Sequence, residues 1–523
     1  MTKNITLKHN SLADLIEDSL QKYADLPAYH CLGQTLTFAE IDIKSRALAA
    51  WLQQKSGLKF GDRVIIQLPN LIQYPIAAYA ILRAGLVIVN TNPLYTNREM
   101  EHQFSDSGAK AIIILQDLLP KLDAIKEKTD IECVITTSAA DLLTGDLSYQ
   151  HDSNFGFNQI LAEGENLPCR NHSNTDVDDV CVLQYTGGTT GVSKGACLTH
   201  KNLMSCGLQI FERFGEKFVE GEEVLVCPLP LYHIYAFSVN MLAFFSRGSL
   251  NILIPNPRDI DSFVNVLVPY KITGISGINT LFVGLCQNTV FKTLDFSKLK
   301  LSLSGGSTLT PATAKLWVET TGCTLTEGYG LSESSGVVCL NQPGNETVGS
   351  VGLPQPGTEV ELWDDNDIIV ADGERGQLVV RGPQILKHYW NMPEETAESI
   401  TADRFFKTGD VAVRLPNGCI EIVDRLKDMI IVSGFNVFPN EVENILTNHS
   451  NIIEAAVIGE PCDKTGEKVC AYITVNSELD SADVIKFCRE NLTAYKVPKQ
   501  INVVKELPKS TVGKILRKDL RAK

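Results

Sequence analysis

Between residues 63 and 137 the chain alternates short aliphatic runs with longer amphipathic ones. RVIIQL (63–68), LVIVN (86–90), AIIIL (111–115) and the run 133–137 are continuous apolar segments of strand length. Between them, 74–83 (YPIAAYAILR) and 97–107 carry helix-like spacing, and Thr96 stands where an N-cap belongs. Strands apolar on both faces and separated by helices predict a parallel sheet covered on both sides. The pattern resumes past residue 245. Residues 251–254 predict a strand, 261–270 and 280–287 predict helices, and Thr310-Pro311 supplies an N-cap and first turn for a helix reaching residue 320.

From about residue 349 the texture changes to short strands and turns. Residues 359–363, 377–381 and 411–415 have β character, and Pro416-Asn417-Gly418 is a turn. The charged break Asp424-Arg425-Leu426-Lys427-Asp428 then leads into a mixed α and β tail, with strands at 429–433, 455–458 and 469–475 and helices near 440–446 and 482–491. The expected fold is α/β: a large N-terminal domain of α/β layers with a small β subdomain (1–424), and a small mobile α+β C-terminal domain (425–523).

A chain of 523 residues, 44% hydrophobic and 21% charged, has an ordinary globular balance and about three structural units' worth of length. Its net charge of −15 argues against a nucleic-acid binder, which normally shows a basic face. Fourteen scattered cysteines contain no CxxC pair, and no HExxH occurs, so reduced structural thiols are expected instead of a zinc site. The first residues lack the apolar core of a signal peptide. Residues 224–245 are the most apolar stretch, but Pro228, Pro230, His233 and Asn240 make it a buried core segment and not a membrane span. A cytoplasmic enzyme is the expectation.

The densest chemistry lies in VCVLQYTGGTTGVSKGACLTH (180–200). A strand runs into Thr186, Gly187, Gly188, Thr189, Thr190 and Gly191, followed by Lys194. Glycines let backbone N–H groups approach an anion, threonines add hydroxyls and the lysine adds charge, so this is a phosphate-binding loop. It is not GxxxxGK[ST], because the spacing fails. The same stretch contains GVSKG (191–195), a GxSxG match that offers a serine hydrolase centred on Ser193. That elbow needs a strand directly before it and a helix directly after it.

These residues resemble the signature loop of the adenylate-forming superfamily of acyl-CoA synthetases, luciferases and peptide-synthetase adenylation domains. Four more segments extend the resemblance over nearly the whole chain: GYGLSE (328–333), GSVGLP (349–354), Thr408-Gly409-Asp410, and RLKD with Ser433-Gly434. PKSTVGK (508–514) completes the series. The wording NPLYT, LPLYHIYAF and LPKSTVGKILR is most similar to bacterial long-chain fatty-acid–CoA ligases.

The resemblance implies ATP-dependent activation of a medium- or long-chain fatty acid to acyl-AMP, then transfer to coenzyme A. A carrier-protein acceptor or another carboxylate is the alternative. Thr186–Lys194 would close over the β- and γ-phosphates. Gly305, Gly306, Gly328, Tyr329, Gly330, Ser332, Asp410 and Arg425 would bind the nucleotide, with Tyr329 on the adenine face and Asp410 on the ribose. Ser332 and Ser193 stand where threonine and proline are more usual. Glu333 would help hold Mg²⁺, and Lys514 would bridge the carboxylate and the α-phosphate during adenylation. Lys427 matches a hinge, and Ser433, Gly434 and Phe435 a pantetheine tunnel. His233 would sit near the carboxylate, and Tyr235, Phe237 and Asn279 would line the acyl pocket. Long acyl chains partition into bilayers, so a peripheral encounter at the inner face of a membrane is expected. A homodimer is the default assembly.

Overall fold

The structure is a computed structural model that describes residues 5–148, 154–170, 175–186, 193–307, 309–510 and 513–521. The aliphatic runs form parallel strands, but in two large sheets, where the sequence pattern suggested one. In the first, the strands run in the order His388–Tyr389, Lys194–Thr199, Val180–Thr186, Val87–Asn90, Arg63–Gln67, Ala111–Leu115, Cys133–Thr137 and Phe155–Gly156. The last six are mutually parallel, and the first two run antiparallel at one edge. The second sheet has a parallel centre of Pro27–Cys31, Leu250–Leu253, Val224–Cys227, Gly274–Gly277, Leu301–Ser304 and Leu325–Tyr329.

The helix Gln73–Arg83 explains the doubling. All eleven of its residues are buried. A helix that is apolar all round must be covered all round. Its Tyr79 hydroxyl donates to the Met241 carbonyl (2.8 Å) and lies 2.6 Å from the Tyr29 hydroxyl, next to the second sheet, while its own chain returns into the first. One apolar core therefore spans both sheets. Local signals hold as well. Thr96 caps Asn97–Ser107 reciprocally with Glu99, a box whose cap alone contributes about 1 kcal/mol.

The most apolar stretch is buried but not uniform. Val224–Cys227 is a strand, and after the prolines Phe237–Phe244 is a π-helix, buried throughout. Eight nearly apolar residues carry no period from which that geometry could be read. Among the described residues no helix is long and apolar enough to cross a membrane, and all fourteen cysteines are free thiols.

Two smaller sheets follow. Glu359–Trp363, Arg375–Arg381, Phe406–Arg414 and Ile420–Arg425 form an antiparallel subdomain sheet. Ile430–Val432, Phe435–Val437, Ile452–Cys462, Gly466–Val475 and Gln500–Val503 form the sheet of a smaller C-terminal domain with its own core.

Candidate active site

Four stretches of chain, together with the subdomain strands that carry Asp410 and Arg425, converge where the two large sheets and the C-terminal segment meet. The first is the hairpin of Val180–Thr186 and Lys194–Thr199, in which Thr186 pairs with Lys194. Gly187, Gly188, Thr189, Thr190 and Gly191 lie outside the described residues. The stem that carries them is pinned from three sides. His102 Nε2 donates to the Ser193 carbonyl (2.9 Å), and the Trp390 N–H donates to the Gly195 carbonyl (2.7 Å). The Lys194 ammonium pairs with Glu395 and stands 5.6 Å over the Tyr389 ring. A strand, not a helix, follows Ser193, so the elbow that a GxSxG hydrolase requires is not formed.

Ser332 and Glu333 lie on a single 3₁₀ turn after Leu325–Tyr329. The Tyr389 hydroxyl donates to Glu333 Oε1 (2.8 Å). Loss of water pushes the Glu333 carboxyl above its ordinary range, and the Tyr389 hydrogen bond opposes that. Among the described residues no group of three or more His, Cys, Asp or Glu side chains could hold a metal. The half-buried Glu333 carboxylate nevertheless fits Mg²⁺, which takes one or two carboxylates and fills its octahedron with substrate phosphates and water.

Asp410 and Arg425 face each other across two antiparallel strands. Asp410 is almost wholly buried, accepts from the Tyr329 hydroxyl (2.5 Å) and pairs with Arg425 Nε (3.0 Å). Gly330, just after the strand Leu325–Tyr329, admits no side chain, since a Cβ there would overlap the Gly336 backbone. Gly305 and Gly306 directly follow Leu301–Ser304, and a Cβ on Gly305 would come 3.3 Å from both the Gly328 carbonyl and the Tyr235 ring.

The third element carries His233. Asn70 donates to the Cys227 and Leu229 carbonyls (3.1 and 2.9 Å) and Gln184 to the Tyr232 carbonyl (3.1 Å), so the first sheet holds this segment in place. His233 caps Ile234–Ala236, with Nδ1 accepting from the Tyr235 N–H (3.3 Å). Burial pushes its pKa down to about 4, and the neighbouring Lys514 ammonium adds to the shift, so the imidazole is neutral. The Tyr235 hydroxyl donates to the Leu303 carbonyl (2.9 Å), and Phe237 is fully buried. The Asn279 side-chain oxygen is taken by the Thr310 N–H (3.0 Å).

The fourth element is the C-terminal segment. Gly513 (φ +78°) packs on Ile278 and Thr280. Lys514 is exposed at the edge of the site. Loss of water pushes its ammonium down to about 8, with Arg425 adding and Asp410 opposing. Arg517 anchors this segment through Asp424 (3.1 Å), Glu443 (2.8 Å) and Asp428 (3.4 Å).

The structure thus brings together Thr186, Lys194, Glu333, Tyr329, Asp410, Arg425, His233 and Lys514. Lys427, exposed on the turn Leu426–Asp428, is near enough for the charges of Arg425 and Asp410 to act on its ammonium. The expected tunnel positions lie apart. Ser433 and Gly434 form an exposed hairpin turn, and Phe435 stacks on Tyr495 (4.9 Å between centroids). Sequence reasoning missed His102, Tyr389, Glu395 and Arg517. Their partners are 56 to 201 residues away, and no spacing signals them.

With this geometry, the chain matches the AMP-binding enzyme family over residues 16–390 and the AMP-binding enzyme C-terminal domain over residues 441–514, and it belongs to that family. The long-chain-fatty-acid–CoA ligase of Salmonella typhimurium is 45% identical over 534 residues, covering 98% of this chain and 94% of that protein. Among solved structures, an anthranilate CoA ligase in complex with anthranoyl-AMP superposes with a TM-score of 0.90 at 25% identity, over 99% of this chain and 98% of that one. ATP-bound MatB from Rhodopseudomonas palustris gives 0.87 at 28%, over 98% and 99%.

Proposed function

We propose that this chain is an AMP-forming acid–thiol ligase. It activates a medium- or long-chain fatty acid with ATP as acyl-AMP, then transfers the acyl group to coenzyme A, releasing AMP and pyrophosphate. The observation that supports the reading is that Lys514, on the small domain, is near enough to Asp410, Arg425 and His233 for their charges to act on one another. The full-length likeness to fatty-acid–CoA ligases supports the substrate class.

A carboxylate acylates poorly until it is joined to a good leaving group. The residues here orient and neutralise; they form no covalent bond to substrate. Lys194 and the hydroxyls of its loop hold the β- and γ-phosphates. Asp410 takes the ribose, Tyr329 the adenine face, and Arg425 and Ser332 the α-phosphate side. Lys514 sits between the incoming carboxylate and the α-phosphorus, where negative charge builds. Glu333 would hold Mg²⁺, which supplies charge neutralisation at the phosphates. His233, neutral, orders the carboxylate without adding charge. The apolar stretch at Tyr235 and Phe237 takes the acyl chain, at about 0.8 kcal/mol per buried CH₂.

We place the domain boundary between residues 424 and 425, with Lys427 at the hinge. Rotation there would withdraw Lys514 and bring Ser433, Gly434 and Phe435 to the pantetheine path, a two-state closure about a short linker. The reading also takes the enzyme as cytoplasmic, meeting membranes only at their surface. Co-sedimentation with vesicles and sizing in solution would test that encounter and the dimer.

The deciding experiment is ATP–pyrophosphate exchange and CoA-thioester formation across carboxylates of graded length, aromatic acids included. Exchange that depends on a fatty acid and thioester that depends on CoA are expected. No exchange with any carboxylate sinks the proposal, and acyl transfer only to a carrier protein replaces the acceptor. Labelling of Ser193 by a fluorophosphonate would revive the hydrolase.

A further inference from the structure

The stretch from Leu386 to Glu395 touches both ends of the triphosphate site, yet it carries none of the motifs above. Its strand His388–Tyr389 pairs antiparallel with Lys194–Thr199, through Tyr389 opposite Ala196 and His388 opposite Cys197. The Leu386 N–H donates to the Glu333 carbonyl (2.7 Å), and the Tyr389 hydroxyl donates to the Glu333 carboxylate (2.8 Å). The other side of the same ring lies under the Lys194 ammonium at 5.6 Å. One turn further, Glu395 on Pro393–Ser399 pairs with that ammonium, each side chain about 30% exposed. A carboxylate and an ammonium far apart in sequence are thus held by one bracket, with an aromatic ring between them.

We propose that Tyr389 is a positioning residue that sets Glu333 against Lys194 for the MgATP phosphates, and that Glu395 competes with those phosphates for the Lys194 ammonium. This rests on the functional reading above, which puts the triphosphate between the two groups. The two halves of the bracket act with opposite sign. Tyr389 fixes the direction of the Glu333 carboxylate, because its hydroxyl is a hydrogen bond to a charged acceptor and its ring limits where Lys194 can go. Glu395 offers Lys194 an alternative anion. A phosphate that recruits the ammonium must outbid that carboxylate and tolerate its charge nearby.

The test is MgATP affinity by titration calorimetry, with the Michaelis constants for MgATP and for fatty acid in the exchange assay. Tyr389→Phe keeps the ring and removes one hydroxyl. It should weaken MgATP binding roughly tenfold, the order of one hydrogen bond to a charged group, and leave the fatty-acid constant within about twofold. Glu395→Gln keeps the shape and removes the charge. It should tighten MgATP binding about threefold, the order of a part-exposed ion pair. General damage to the fold would weaken both variants and both substrates together. If the two variants move MgATP affinity in the same direction, or neither moves it, the bracket is structural and the inference falls. If the wild type binds no MgATP at all, the functional reading falls first.

Discussion

Gly513 lies against Ile278, and a Cβ at Gly513 would come 2.3 Å from Ile278 Cδ1, so the end of that side chain would have to move aside. This is where the residue before Lys514 meets the large domain. Gly513→Ala should therefore keep the lysine from seating. The backbone there is left-handed (φ +78°), which adds about 1 kcal/mol for any residue with a Cβ. The expected outcome is loss of ATP–pyrophosphate exchange by at least about tenfold, while thioester formation from supplied acyl-AMP persists. Unchanged exchange would mean that the contact is not needed for the first half-reaction.

Lys514 should impose an alkaline limit on adenylation. Its ammonium titrates at about 8, so the charged form is abundant at neutral pH and lost above that value. kcat/KM for exchange, which reports the free enzyme, should fall about tenfold per pH unit above roughly pH 8. The sign for stability is the reverse. The folded value lies below the ordinary 10.5, so the unfolded chain binds more protons between about 8 and 10.5, and stability rises across that window. Lys514→Met should consequently lose exchange yet be at least as stable as the wild type at pH 7. A variant that loses both would show that the lysine has a structural role in the small domain.

Asp410 should be costlier to remove than either of its partners. It is almost fully buried and accepts from Tyr329 while pairing with Arg425. Asp410→Ala strands a hydroxyl and a guanidinium. A loss of roughly 2 kcal/mol in urea unfolding is expected, together with a large rise in the Michaelis constant for ATP. Tyr329→Phe removes only the hydroxyl and should cost about 1 kcal/mol. Equal losses in the two variants would contradict this ordering.

Local chemistry was legible in the sequence and through-space pairing was not. The helix Asn97–Ser107 follows from Thr96 and Glu99, three residues apart, and the strand Glu359–Trp363 from its alternation. The hairpin partner of Val180–Thr186 was hidden, because the glycine-rich run points to an anion site whether a helix or a strand comes next. The split into two sheets depends on a helix, Gln73–Arg83, that is covered on every side, and a hydrophobic pattern does not say by what. In the site, Lys194 and Glu333 are visible because glycines and hydroxyls surround them. Tyr389 and Glu395 are not, because their significance lies in a strand pairing across roughly 190 residues.

Arg517 supplies the last prediction. Its guanidinium meets Asp424, Asp428 and Glu443, and it also donates to Asn440. The arginine side chain is 14% exposed and Asp424 is fully buried. Asp424 belongs to the strand Ile420–Arg425, which pairs with the strand of Asp410, while Arg517 lies three residues beyond Lys514. The cluster therefore ties the lysine segment to the strand that carries Arg425. Deleting one partner of a buried pair leaves the other charge uncompensated, so Arg517→Ala should destabilise the protein by about 3 kcal/mol in denaturant unfolding. Arg517→Lys keeps the charge but loses the fork that serves several acceptors at once, so it should recover only part of that stability. In both variants exchange should fall more than thioester formation from supplied acyl-AMP, because only the first step needs Lys514 beside Asp410. Equal loss of the two steps would show that Arg517 holds the small domain together without placing the lysine.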